Sequence, residues 1–253
     1  MAELALQNLS AQRSGITLVR HVSLTMKSGE LIALVGPNGA GKTSLLRSAL
    51  GLQKPSSGGA RADGKDTAQM TAIERAKLIS YLPQTRPLAW PTSVQDVVAL
   101  GRFSYGARLG KLAGEDLAAV TKAMRDCDIE QMAHRAANTL SGGESARMHC
   151  ARAFAAQAPL LIADEPVAAL DPRHQLQVMQ LIEQYVQNGG GALVVLHDIN
   201  LAARFASRMV WLKAGEIVAD GTPVDTLTAQ RLADVFAVNA TVNGLQVEFT
   251  GAL

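Results

Sequence analysis

The stretch Gly36-Pro37-Asn38-Gly39-Ala40-Gly41-Lys42-Thr43, followed by Ser44, constrains this chain more than any other. It matches G-x-x-x-x-G-K-[ST], and its flanks are those the pattern needs. The apolar run Leu31-Ile32-Ala33-Leu34-Val35 precedes it, and a helical segment from Lys42 to Leu50, stopped near Gly51, follows it. In a strand–loop–helix of this kind, glycines let the backbone approach a ligand and aim its N–H groups inward. The helix N-terminus adds positive potential, so the loop suits a phosphate. Lys42 is placed to neutralise β- and γ-phosphates, and Thr43 to offer its hydroxyl to Mg²⁺.

Two further apolar runs repeat the design. Leu160-Leu161-Ile162-Ala163 ends at Asp164-Glu165, and Ala192-Leu193-Val194-Val195-Leu196 ends at His197-Asp198. Continuous runs of this length suit strands buried on both faces of a parallel sheet. Each carries its polar residues just past the carboxyl end, where open α/β sheets bind ligands. Asp164 would hold Mg²⁺ and Glu165 would polarise an attacking water. Two adjacent carboxylates repel each other and a nucleotide, so this pair needs the cation.

Helical segments lie between the strands. Asp171 is a good N-cap and Pro172 fits the first helical position. Leu176, Met179, Ile182 and Val186 then form an apolar stripe that Asn188-Gly189-Gly190-Gly191 ends. From about Thr85 to Pro159 the pattern is helical throughout. Thr92-Ser93-Val94-Gln95 starts one helix, Glu115 to about Met124 is a second, and Glu144 to Gln157 a third. Ser141-Gly142-Gly143-Glu144 reads locally as a capping box with Ser141 as N-cap. Gly51 to Asp66 reads as a loop or turn between short strands. The predicted division is a discontinuous α/β core, residues 1–84 and 160–222, with a helical lobe at 85–159 and a short tail at 223–253. The tail holds an amphipathic piece from Gln230 to Phe236 and a possible strand from Leu245 to Phe249.

Composition excludes several classes. Hydrophobic residues at 48% and charged residues at 18% indicate a globular chain. The net charge is +2 with no block of five like charges, which gives no reason to expect a nucleic-acid partner. No apolar stretch approaches the ~20 residues of a membrane span. Met1-Ala2-Glu3-Leu4 has no signal-peptide pattern, so a cytoplasmic chain is expected. Cys127 and Cys150 read as packed thiols. His21, His134, His149 and His174 read as surface or packing residues.

The order of the motifs carries a resemblance. The phosphate loop, Gln84, Leu140-Ser141-Gly142-Gly143, Asp164-Glu165, Asp171 and His197 follow one another as in the ATP-hydrolysing subunit of ABC transporters, which this chain resembles over almost its whole length. The resemblance implies a P-loop NTPase (RecA-like) core with an antiparallel β subdomain and an inserted α-helical subdomain. It implies ATP and Mg²⁺ as ligands, with Gln84 reaching the cation and the water. By it, Ser141 and Gly143, with Gly142 between them, bind the γ-phosphate held by the loop of a second copy, so that two chains pair head to tail. The resemblance also implies that His197 contacts the γ-phosphate and orders Glu165 and the water. A separate membrane permease, and indirectly a periplasmic or surface binding protein, are the implied partners, with the subunit at the cytoplasmic face of the inner membrane.

Two departures stand out. Ala168 replaces the usual serine ahead of Asp171. Ala11-Gln12-Arg13-Ser14-Gly15 holds no aromatic residue to stack on adenine, which leaves either the Arg13 guanidinium or nothing in that role. Trp90-Pro91-Thr92-Ser93-Val94-Gln95-Asp96-Val97-Val98 with Gly101-Arg102, Ala169 to Gln175, and His197 to Ala202 resemble the branch that imports iron–siderophore, haem and cobalamin. Iron–siderophore is the first expectation within it. The alternatives are a non-transport or regulatory ABC ATPase, or the ATPase of another importer or exporter class.

Overall fold

The computed structural model describes residues 1–84 and 92–253. The expected Trp90-Pro91 start of the branch motif lies outside them. The chain forms two compact units. One comprises residues 1–70 and 191–253, the other residues 71–190.

The first unit opens with β1 (Glu3–Arg13), β2 (Ile16–Lys27) and β3 (Leu31–Val35). Helix α1 (Lys42–Ala49) and strands β4 (Ser57–Ala62) and β5 (Lys65–Asp66) follow. β2, β1, β4 and β5 make an antiparallel sheet in that order. Its long strands escaped a simple reading of alternation for a local reason. Leu4, Leu6, Leu9 and Ala11 are all buried, and the register slips by one residue between Leu6 and Leu9. The slip centres on Asn8, whose φ is +45°, as expected at a β-bulge. The segment Gly51–Asp66, read from its glycines as loop or turn, in fact supplies β4 and β5. A β-carbon at Gly58 would stand 2.2 Å from the Asn8 carbonyl oxygen, so this glycine serves close strand pairing at the bulge.

The second unit runs α2 (Ala72–Leu78), β6 (Ile79–Leu82), α3 (Val94–Ala99), α4 (Gly114–Asp126), α5 (Gly142–Ala155), β7 (Leu160–Asp164) and α6 (Pro172–Gln187). β6 and β7 pair in parallel. Among the described residues from 92 to 159 no strand forms, as the pattern predicts. Gly101 and Arg102 pin a 3-10 turn, Leu100–Tyr105, onto the end of α5. A β-carbon at Gly101 would meet the Arg152 carbonyl oxygen at 2.2 Å. The Arg102 guanidinium, 3% exposed, bonds Asp116 at 2.8 Å, Gln157 at 3.0 Å and the Ala155 carbonyl at 3.3 Å.

The first unit resumes with β8 (Gly191–Val195), α7 (Ile199–Phe205), β9 (Arg208–Lys213) and β10 (Glu216–Gly221). α8 (Pro223–Thr226), α9 (Ala229–Phe236), β11 (Val238–Asn243) and β12 (Gln246–Ala252) complete it. β3 lies between β8 and β9, parallel to both, and β10 runs antiparallel to β9. Every residue of β3 and β8 is buried, which explains why they read as unbroken apolar runs. The tail forms two helices and a hairpin. The Asn200 side chain of α7 holds that hairpin through both amide atoms, donating to the Val247 carbonyl at 3.1 Å and accepting its N–H at 2.7 Å. Among the described residues no helix is long and apolar enough to cross a membrane.

Candidate active site

In the first unit the glycine loop continues β3 at its carboxyl end. Its path is fixed by backbone it almost touches. A β-carbon on Gly36 would stand 2.1 Å from the Leu212 carbonyl oxygen, and one on Gly41 would stand 2.2 Å from that of Leu18. The loop carbonyl of Ala40 accepts from the Gly215 N–H at 2.9 Å, which ties the loop to the β9–β10 turn. Helix α1 starts with no side-chain cap and no acidic residue in its first turn, so no carboxylate of its own first turn competes for its leading amides. Leu45, Leu46 and Ala49 anchor it in the core. Lys42 folds back over the loop, its Nζ donating to the carbonyls of Gly36 at 2.7 Å and Pro37 at 3.0 Å. Thr43 and the loop tip at Asn38 and Gly39 are exposed.

His197 belongs to the same edge. Leu34 of β3 pairs with Val195 of β8, so the loop at Gly36 and the imidazole at His197 leave the sheet at its common carboxyl end. His197 is exposed, and Asp198 after it caps α7 through the Leu201 N–H at 2.9 Å. The cap explains the His-Asp order: the carboxylate serves the helix and leaves the imidazole outside it.

In the second unit β6 and β7 repeat this geometry. Leu82 pairs with Ala163, which brings Gln84 beside Asp164 and Glu165 at one carboxyl edge. Gln84 Nε2 donates to Glu165 Oε2 at 2.6 Å. That bond aims the carboxylate and leaves the amide oxygen of Gln84 as an acceptor. Asp164 is 1% exposed. Glu165 has φ +51° and Ala169 φ +60°, conformations a non-glycine residue holds only when its surroundings impose them.

Ser141-Gly142-Gly143-Glu144 forms both bonds of the predicted capping box. The Ser141 N–H donates to Glu144 Oε2 at 2.8 Å, and the Glu144 N–H to Ser141 Oγ at 3.3 Å. The Ser141 hydroxyl accepts here, so its proton is left to donate outward. The Ser141 N–H holds the Glu144 carboxyl below the usual range, with Arg135 adding charge at 3.2 Å. Asp171 caps α6 as expected, accepting the His174 N–H at 3.0 Å, the main cause of its lowered pKa. The sequence reading missed the side chain of His174. Its Nδ1 lies 2.6 Å from Asp171 Oδ2 and its ring lies on Gly143. The available signal was its place at the third position after an acidic N-cap.

The predicted residues therefore fall into three clusters. The phosphate loop and His197 share an edge of the first unit. Gln84, Asp164 and Glu165 share an edge of the second, and Ser141 to Gly143 meet Asp171 through His174, also in the second. A family model described as "ABC transporter" matches residues 19–168. The chain belongs to the ABC transporter family. It is an ATP-hydrolysing subunit with the fold of an ABC cassette, and it binds ATP. It is 40% identical over 237 residues to a hemin import ATP-binding protein of Rhodopseudomonas palustris, covering 90% of this chain and 86% of that one. A hemin import ATP-binding protein of Plesiomonas shigelloides is 37% identical over 255 residues, covering 94% and 95%. Among solved structures, a dimeric ATP-binding cassette in a post-hydrolysis state, bound to ADP and Pi, superposes with a TM-score of 0.76 at 29% identity. It covers 87% of this chain and 98% of its own. ABC cassettes form dimers and work with membrane permeases.

Proposed function

We propose that this ABC ATPase drives import of a metal chelate, haem before iron–siderophore or cobalamin. The supporting observation is its 40% and 37% identity, over nine-tenths of the chain, to two proteins named for hemin import. The motifs pointed to the chelate branch, within which iron–siderophore was the first expectation; the relatives' names put haem ahead. In this reading the protein works as a homodimer at the cytoplasmic face of the membrane. A permease carries the chelate and a binding protein delivers it. The exposed apolar side chains of Phe103, at 72%, and of Leu100, Tyr105 and Leu109 support a protein partner on the second unit.

Each predicted residue then has a task. Lys42 and the amides that open α1 take the phosphates. Glu165, aimed by Gln84, accepts the proton of the attacking water. His197 holds the γ-phosphate. Ser141 and Gly143 reach the ATP of the second copy, and Asp171 lies on the same surface. Thr43, Gln84 and Asp164 supply hydroxyl, amide and carboxylate oxygens, the hard donors that suit Mg²⁺. Among the described residues no three His, Cys, Asp or Glu side chains converge. Such a donor set fits a cation that also needs phosphate oxygens, and Mg²⁺ would there neutralise phosphate charge.

The test is ATPase activity of the protein with its permease in lipid vesicles, with binding protein loaded with haem, a ferric siderophore or cobalamin. Haem should stimulate turnover most. Stimulation by the siderophore alone would put iron–siderophore back in first place. Stimulation by none of the three would refute the chelate reading.

A further inference from the structure

Gly143 is a buried glycine in the first turn of α5, at a helical φ that any residue adopts. Backbone conformation does not explain it. What occupies the space does: a β-carbon at Gly143 would stand 2.0 Å from Cδ2, 2.4 Å from Nε2 and 2.5 Å from Cγ of His174. The ring is itself held. Asp171 accepts the backbone N–H of His174 at 3.0 Å through one oxygen and meets Nδ1 at 2.6 Å through the other. A second contact runs beside it, since Leu170 Cδ2 lies 3.7 Å from where a β-carbon on Gly142 would be.

We propose that His174 is a positioning residue that locks the Leu170-Asp171 turn onto the first turn of α5, its ring filling the place that a β-carbon at Gly143 would take. The capping box occupies the amides of Ser141 and Glu144, and the two glycine amides lie between them. Those amides are the part of the helix N-terminus aimed at an anion. His174 sets their place relative to Asp171, so the surface that the proposed function offers to a second copy's ATP is assembled as one piece. The inference rests on that reading for its functional consequence only; the packing stands apart from it.

The experiment compares Gly143→Ala, His174→Ala and the double variant. Two readouts are needed: the urea midpoint of unfolding, and kcat and KM of the ATPase. Gly143→Ala should lower the midpoint and cut kcat/KM by at least about tenfold, because the inserted carbon meets a ring fixed by Asp171. In His174→Ala, KM for ATP should rise about threefold to tenfold, the scale of one lost hydrogen bond, with kcat changed less and ADP affinity unchanged. A merely structural loss would lower kcat through the active fraction and leave KM alone. The double variant should match His174→Ala in the urea midpoint, since removing the ring vacates the place of the added carbon. A double variant with a midpoint as low as that of Gly143→Ala would overturn the inference, because the fold would then exclude a β-carbon at Gly143 for a reason other than His174. An unmoved KM in His174→Ala would refute the positioning role. A wild type that hydrolyses no ATP would refute the proposed function instead, and the unfolding midpoints would still decide the packing.

Discussion

Two glycines of the phosphate loop, two residues apart, should respond very differently to the same substitution. Gly39 has φ +78° and Gly41 φ +101°, so alanine at either must hold a left-handed backbone, at about 1–2 kcal/mol. At Gly39 nothing lies within 4 Å of the added carbon. At Gly41 it would stand 2.2 Å from the Leu18 carbonyl oxygen, 3.2 Å from the carbon behind it and 3.5 Å from Val19 Cγ2. Those neighbours are backbone and core of β2, with no flexible end to swing away, so overpacking adds about 1–3 kcal/mol. Gly39→Ala should therefore cost roughly 1.5 kcal/mol and Gly41→Ala roughly 3.5 kcal/mol. Urea unfolding without nucleotide, followed by circular dichroism, measures both without reference to activity. Gly41→Ala should also weaken ADP binding far more than its stability loss alone explains, because relief of the overlap displaces the first amides of α1. Equal losses in the two variants, or a Gly41→Ala protein within about 0.5 kcal/mol of wild type, would refute the reasoning.

Three other substitutions or conditions test separate parts of the structure. Replacing Arg102 by Met removes a buried guanidinium and leaves Asp116 without its partner. Because Asp116 is a quarter exposed, the expected loss is about 2–3 kcal/mol, below the full cost of breaking a buried pair, measured by urea unfolding. Glu144 has a folded pKa below its ordinary value, so it binds its proton less readily when folded. Its stabilising contribution is present above the ordinary glutamate range and lost as pH falls through the lowered value. Glu144→Gln should flatten the stability profile between about pH 6 and pH 3, seen in unfolding curves across that range. With no aromatic residue at 11–15, GTP should compete with a fluorescent ATP analogue nearly as well as ATP does; far poorer competition would show a base contact elsewhere.

The parts of the site that were legible in sequence are those whose chemistry is local. β3, β7 and β8 are buried on both faces, so their runs are apolar without interruption and their polar ends stand out. Ser141 with Glu144 announces a helix start through contacts three residues apart, and Asp171 followed by Pro172 announces another. What was illegible depends on residues far apart in sequence. The bulge at Asn8 moves the buried face of β1 by one residue and hides its alternation. Gly58 looks like loop because its reason is the passing backbone of β1. His174 gave little warning because the glycine it covers lies 31 positions earlier. In the tail hairpin the possible strand at Leu245 to Phe249 overlaps β12, but β11, with no buried residue, gave no signal of its own.

ATP turnover by purified wild type and by Glu165→Gln, with Mg²⁺ and with oligomeric state followed in the same samples, tests the central claim most directly. The account predicts hydrolysis by wild type. It predicts a loss of about 10²–10⁴ in the variant, the range for a removed general base, together with an ATP-bound dimer that persists. Near-normal hydrolysis by Glu165→Gln would contradict the assignment of that carboxylate and the mechanism built on it.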